Sequence, residues 1–264
     1  MAPTPFVFVE EKKDYAIVTI NRGPVNAMNL QVWVELQAAL DRIEGNSKMR
    51  GVIFCSGLEK DIFTAGNDLT ELYAPMTSLE GYTNFWTTQN VFVGNLYSSR
   101  LVVISAIRGA CPAGGCAISL ASDYRIMTAG LGHIGLNEPQ IGLLVPALWM
   151  VLYAKVIGER QAELLGFNGA VISPEEAKRV GLVDELVPKE KLMQTAEATM
   201  AKWLKIPSLG RSLTKKNVRQ ELSDRFTDRA ALKAESEMGW AFLSSPETVK
   251  AMKATLNRLQ GSKL

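Results

Sequence analysis

The chain has 264 residues, 47% of them hydrophobic and 21% charged, with a formal net charge of +2. That is enough apolar material for a well-buried core in one or two domains. The near-neutral balance excludes the strong basic excess of a dedicated nucleic-acid binder. No apolar run is long enough to span a bilayer, because Lys, Arg or Gly breaks each one within a few turns.

The first half alternates strand and helix signals. Phe6–Glu10 and Tyr15–Ile20 are β-rich and separated by a charged turn at Lys12-Lys13-Asp14, which predicts a hairpin. Asn21-Arg22-Gly23-Pro24 ends the second strand with turn chemistry. Asn29 can cap a helix over Leu30–Glu44, with Val32, Leu36, Ala39, Leu40 and Ile43 on one face. Gly51–Cys55, Leu101–Ile107 and Tyr124–Thr128 read as strands, and Ser78–Tyr97 as a helix. Ser173-Pro174-Glu175-Glu176 is a helix start with Ser as cap and Pro at the first position, and Ser245-Pro246-Glu247 partly repeats it. From about Pro188 onward helical signals dominate, so an α/β core followed by a helical tail is expected.

The ends of the chain carry targeting information of unequal strength. The N-terminus has neither a secretory apolar region nor an Arg-rich amphipathic leader. The terminal Ser262-Lys263-Leu264 matches the peroxisomal import address, so a peroxisomal matrix location and its import receptor are expected. The odd set of Cys55, Cys111 and Cys116 suits a reduced compartment. With His133 as the single histidine, these cysteines make no convincing metal site and read as small packed residues.

Three segments could carry chemistry. Phe63-Thr64-Ala65-Gly66-Asn67-Asp68-Leu69 and Gly109-Ala110-Cys111-Pro112-Ala113-Gly114-Gly115-Cys116 each follow a strand and lead into a helix. Two such turns could aim two backbone N–H groups at one oxygen, although each alone reads better as an ordinary turn that needs small residues. Neither has the signature of a phosphate loop. The third segment, Ile134 to Pro146, holds Glu138 among apolar neighbours. A carboxyl in a dry pocket exchanges protons near neutrality; a surface Glu stiffened by Pro139 is the competing reading. A nucleophilic triad lacks support, since no Gly-x-Ser-x-Gly elbow is present and His133 reads as a half-buried strand residue or pocket wall.

In this order the three segments resemble the crotonase (enoyl-CoA hydratase/isomerase) superfamily, over roughly residues 6 to 260. The resemblance implies an α/β spiral of ββα units over residues 1–195 and a helical trimerisation region over 196–264, assembled as a trimer or dimer of trimers. It implies that Ala65, Gly66, Asn67, Asp68 and Leu69 form an acyl-CoA-binding loop with the Asn67 N–H as one oxyanion donor, and that the Gly114 N–H is the other. Asp123-Tyr124-Arg125-Ile126 is similar to the family's following strand. Hydratases of the family carry two glutamates; the first position is Ala117 here and the second is Glu138, as in Δ3,Δ2-enoyl-CoA isomerases.

The resemblance therefore implies a proton shuttle. Glu138 would take a proton from C2 of a 3-enoyl-CoA and return it at C4, while Asn67 and Gly114 hold the enolate oxygen. No metal or redox cofactor enters, CoA being part of the substrate. Leu136, Leu143, Leu144 and residues of the 85–92 stretch are expected to line the acyl tunnel, and Arg22 or Lys215 to touch CoA phosphates or to be solvated. A weak hydratase, a dienoyl-CoA isomerase, a thioesterase, a non-catalytic acyl-CoA or RNA binder and a structural subunit stay open as alternatives.

Overall fold

A computed structural model describes residues 4–261. The chain opens with the expected hairpin, β1 (Val7–Glu11) against β2 (Tyr15–Ile20), with Val9 opposite Val18. Asn29 caps α1 (Leu30–Gly45) by accepting from the Val32 N–H, and the helix buries the expected face together with Trp33. β3 (Gly51–Ser56) runs parallel to β2. Ser78 caps α2 (Leu79–Ser98) in the same way, from Gly81.

Next come β4 (Val102–Ile107), the two-residue β5 (Cys111–Pro112), α3 (Gly114–Ala121), β6 (Tyr124–Thr128) and the two-residue β7 (Ile134–Gly135). They show how the coil is wound. The long strands join one sheet in the order β1-β2-β3-β4-β6, closed later by a short β8 (Glu185–Val187), and every pairing after the hairpin is parallel. The short strands form a second layer, in which Ile62 bridges Ala110 and β5 pairs with β7. Each turn of the chain thus gives one strand to each layer before a helix or loop returns it. This is the spiral of ββα units.

Helix begins to dominate earlier than the sequence suggests. α4 (Ala147–Ile157), α5 (Glu159–Phe167) and α6 (Pro174–Arg179) precede β8. α4 is apolar on most sides, and Leu148, Trp149, Leu152 and Tyr153 are buried. α7 (Leu192–Trp203) then lays Leu192, Ala196 and Met200 against Ile53, Val102, Ile104 and Ile126 on the outer face of the large sheet. The expected boundary at 195/196 falls inside this helix, whose apolar face belongs to the sheet. α8 (Ser208–Thr227), α9 (Arg229–Leu243) and α10 (Pro246–Gly261) complete the described chain.

α8 is pinned to the core by charge. Asp123, between α3 and β6, accepts from Lys215 Nζ at 2.8 Å and from Arg219 Nη1 at 2.9 Å. It also accepts from the Val103 N–H at 2.9 Å. Lys215 is 9% exposed and gives a further bond to the Leu101 carbonyl. It is neither a phosphate contact nor a solvated charge. Its ammonium group, pushed down to about 8 by burial, is a structural peg.

Candidate active site

The two glycine turns and the Glu138 segment are bonded into one unit. The Ala110 carbonyl accepts from the Phe63 and Thr64 N–H groups at 2.9 and 3.2 Å, which ties the first turn to the second. The Ala113 N–H donates to the Gly135 carbonyl at 2.9 Å, which ties the second turn to the segment that leads into Glu138. Buried Asn26 adds a brace: its amide donates to the Ile20 and Phe63 carbonyls and to Ser56.

Within this unit the turns touch. Gly66 has φ +85°, and a Cβ there would lie 2.9 Å from Ala113 Cβ. A Cβ on Gly114 would lie 2.8 Å from Asn67 Oδ1 and 2.6 Å from Met28 Cε. Glycine at 66 lets the first turn lie against the Pro112 backbone, and glycine at 114 leaves room for the Met28 and Asn67 side chains. Ala113 itself takes φ 50° and ψ −118°, a strained conformation for a residue with a side chain, and it turns the chain into α3. The Asn67 side chain is held away from its own backbone: Oδ1 accepts from Trp33 Nε1 at 3.2 Å and Nδ2 donates to Gln89 at 2.9 Å. Among the described residues, neither the Asn67 N–H nor the Gly114 N–H at the start of α3 has an acceptor.

Glu138 opens a single 3-10 turn, Glu138–Ile141, which Gly142 closes with φ 74°. The Leu143 N–H returns to the Glu138 carbonyl at 2.9 Å, so the turn fixes the direction of the side chain. α10 packs on the turn, and a Cβ on Gly142 would come within 2.9 Å of Ala251 Cβ. Glu138 is 6% exposed and its Oε2 is buried without a hydrogen-bond partner. Burial pushes its carboxyl up from 4.5 to about 7, and a bond from its own backbone N–H draws it only partly back.

Asn67 and Glu138 face one cavity of about 270 Å³. Leu143 and Leu144 line it as expected, as do Trp86 and Gln89 from the 85–92 stretch, whereas Leu136 is buried behind the lining. The far wall comes from α9, through Glu235, Met238, Gly239, Phe242 and Leu243. Local sequence does not mark that helix as a wall. Its one irregularity is Gly239, where a Cβ would meet the Tyr82 hydroxyl at 2.8 Å.

Other expected site residues are placed around the cavity rather than on it. Asp68 pairs with Arg22 at 2.9 Å and caps the 3-10 turn that begins at Leu69. Arg22 also donates to the Ala27 carbonyl, so it is committed within the fold. Ala65 is exposed, and Leu69 packs on the core. His133 is exposed between β6 and β7, and so is not a half-buried pocket wall. Cys111 in β5 and Cys116 in α3 are free, fully buried thiols, and burial raises both. Ala117 is fully buried.

A model of the enoyl-CoA hydratase/isomerase family matches residues 10–261. The chain belongs to this family. Relatives include the protein named enoyl-CoA delta isomerase 1, mitochondrial, of Mus musculus, 34% identical over 94% of this chain and 84% of its own. The protein of that name from Homo sapiens is 35% identical over 94% of this chain and 81% of its own. The crystal structure of human mitochondrial delta3-delta2-enoyl-CoA isomerase superposes with a TM-score of 0.92 at 35% identity, covering 98% of this chain and all of that one. The crotonase-type fold expected from the three segments is thereby established.

The same relatives correct one expectation. They are named as mitochondrial, which overturns the peroxisomal location expected from Ser262, Lys263 and Leu264. A receptor-read tripeptide is independent of the fold, whereas the likeness to these proteins extends over 249 residues. The three residues lie outside the described part of the chain. Among the described residues no helix is long and apolar enough to cross a membrane.

Proposed function

We propose that this protein is a Δ3,Δ2-enoyl-CoA isomerase that moves a double bond with one carboxylate. The observation that carries the reading is Glu138, a buried carboxyl titrating at about 7, which faces the same cavity as Asn67. A group ionising near the working pH can take a proton and give it back. Ala117, at the position of the first glutamate of family hydratases, has no proton to exchange.

In this reading the thioester carbonyl sits between Asn67 and Gly114. Its carbonyl and the neighbouring double bond acidify C2, and Glu138 removes a proton there. The electron pair delocalises through the diene to the thioester oxygen. The unpartnered N–H groups of Asn67 and Gly114 receive the developing negative charge, and the start of α3 adds its positive end. Glu138 then returns the proton at C4, giving trans-2-enoyl-CoA. Atoms and electrons balance within the substrate, so the chemistry calls for no redox or metal partner.

The helical region would serve assembly. Leu209 and Leu213, neighbours on one side of α8, are 72% and 50% exposed in the single chain, which supports a face covered by another copy in a trimer or dimer of trimers. The test of the activity is product identity. A 3-enoyl-CoA should give trans-2-enoyl-CoA at unchanged mass, and a 2-enoyl-CoA should gain no water. Hydration of the 2-enoyl-CoA would replace this reading with a hydratase.

A further inference from the structure

The cavity that holds Glu138 has a second polar end, for which isomerisation has no use. Where α2 faces α9, Tyr82, Trp86 and Glu235 sit beside apolar Leu143, Met238 and Phe242. Trp86 Nε1 is buried with no hydrogen-bond partner. Glu235 is half-buried, and burial holds its carboxyl above the ordinary carboxylate range with no cation drawing it down. The Trp86 indole favours the anionic form, yet the geometry stops short of a hydrogen bond between the two. Tyr82 packs tilted against Trp86 with ring centroids 5.7 Å apart, and Gly239 leaves room for its hydroxyl at this wall.

A buried donor without a close acceptor thus stands near a half-buried carboxyl, in a pocket otherwise suited to hydrocarbon. A plain alkyl tail would dehydrate both groups and satisfy neither, which is the costly arrangement for buried polar atoms. A hydroxyl is the simplest group that donates and accepts at once. We propose that this pocket favours enoyl-CoA chains bearing a hydroxyl beyond the reacting carbons, the hydroxyl accepting from Trp86 Nε1 and donating to the Glu235 carboxylate. The inference rests on the isomerase reading above and names the substrate class of that same site.

The experiment compares kcat/KM for 3-enoyl-CoA esters of several chain lengths, each plain and with a terminal hydroxyl. In the wild type, at the length that reaches Glu235, the hydroxylated ester should be the better substrate. Glu235→Leu should lower the ratio of hydroxylated to plain kcat/KM roughly tenfold or more, the cost of losing a hydrogen bond to a charged group. Trp86→Phe, which removes only the indole donor, should lower it by less. Glu235→Gln, which keeps the shape, serves if the leucine variant does not fold. A wild type that prefers the plain ester at every length, or a ratio unmoved by these variants, overturns the proposal. Turnover of neither ester by the wild type would instead defeat the isomerase reading.

Discussion

Replacing Glu138 with Gln should make the protein more stable, and only at high pH. The carboxyl lies at about 7 in the fold against an ordinary 4.5, because ionising it places a charge in a dry site. A raised acid means that the folded state binds the proton more tightly than the unfolded chain. Below 4.5 both states carry it and the group contributes no difference. As pH rises toward 7 the unfolded chain ionises first, and above 7 the folded state must bury the charge, so stability falls through that window. At roughly 1.36 kcal/mol per pH unit, the displacement from 4.5 to about 7 corresponds to about 3 kcal/mol. Glutamine has nearly the same shape and no charge to bury. Urea unfolding of both proteins across the pH range gives the difference directly, and ionisable groups common to both cancel. The variant should match the wild type at about pH 4 and exceed it by about 3 kcal/mol at about pH 9. A difference independent of pH, or a less stable variant at high pH, would refute the claim that burial alone raises this carboxyl.

Three further outcomes follow from the same structure. The kcat/KM profile should rise with pH and reach half its plateau near 7, as the base of the free enzyme ionises, and a flat profile from about pH 5 to 8 would exclude Glu138 as that base. Gly114→Ala places a methyl 2.6 Å from Met28 Cε and 2.8 Å from Asn67 Oδ1, which pushes the Gly114 N–H out of place, so kcat should fall toward the cost of one lost oxyanion donor, about 10²–10³-fold, while circular dichroism shows a folded protein. Asp123→Asn leaves Lys215 buried without its counter-ion and should cost about 3–5 kcal/mol in denaturant unfolding, since removing one member of a buried pair strands the other.

Local chemistry made much of the fold legible. Asn29 and Ser173 are caps whose side-chain oxygens accept N–H groups of the first turn, so these two helix starts could be read from single residues. The buried parallel strands betrayed themselves as unbroken apolar runs. Ala65-Gly66-Asn67 and Ala113-Gly114 were recognisable because close backbone approach restricts the residues to small ones. What stayed hidden depends on contacts between distant segments. Lys215 looks like any solvated lysine until Asp123 is placed beside it. Asn26 looks like turn chemistry, not the brace between three segments. α9 reads as a surface helix rich in Ala with two Glu, and becomes a pocket wall only because α2 lies opposite, so Glu235 was invisible as a site residue. The unpartnered state of Glu138 Oε2 is likewise a property of packing, which no spacing of residues encodes.

The central claim is that one carboxyl carries the proton from C2 to C4. Its most direct test is turnover of a 3-enoyl-CoA by the wild type and by Glu138→Gln, with products separated by chromatography and weighed. The wild type should give trans-2-enoyl-CoA of unchanged mass, and the folded variant almost none. A Glu138→Gln protein that keeps most of the activity would contradict it and place the acid–base group elsewhere in the cavity.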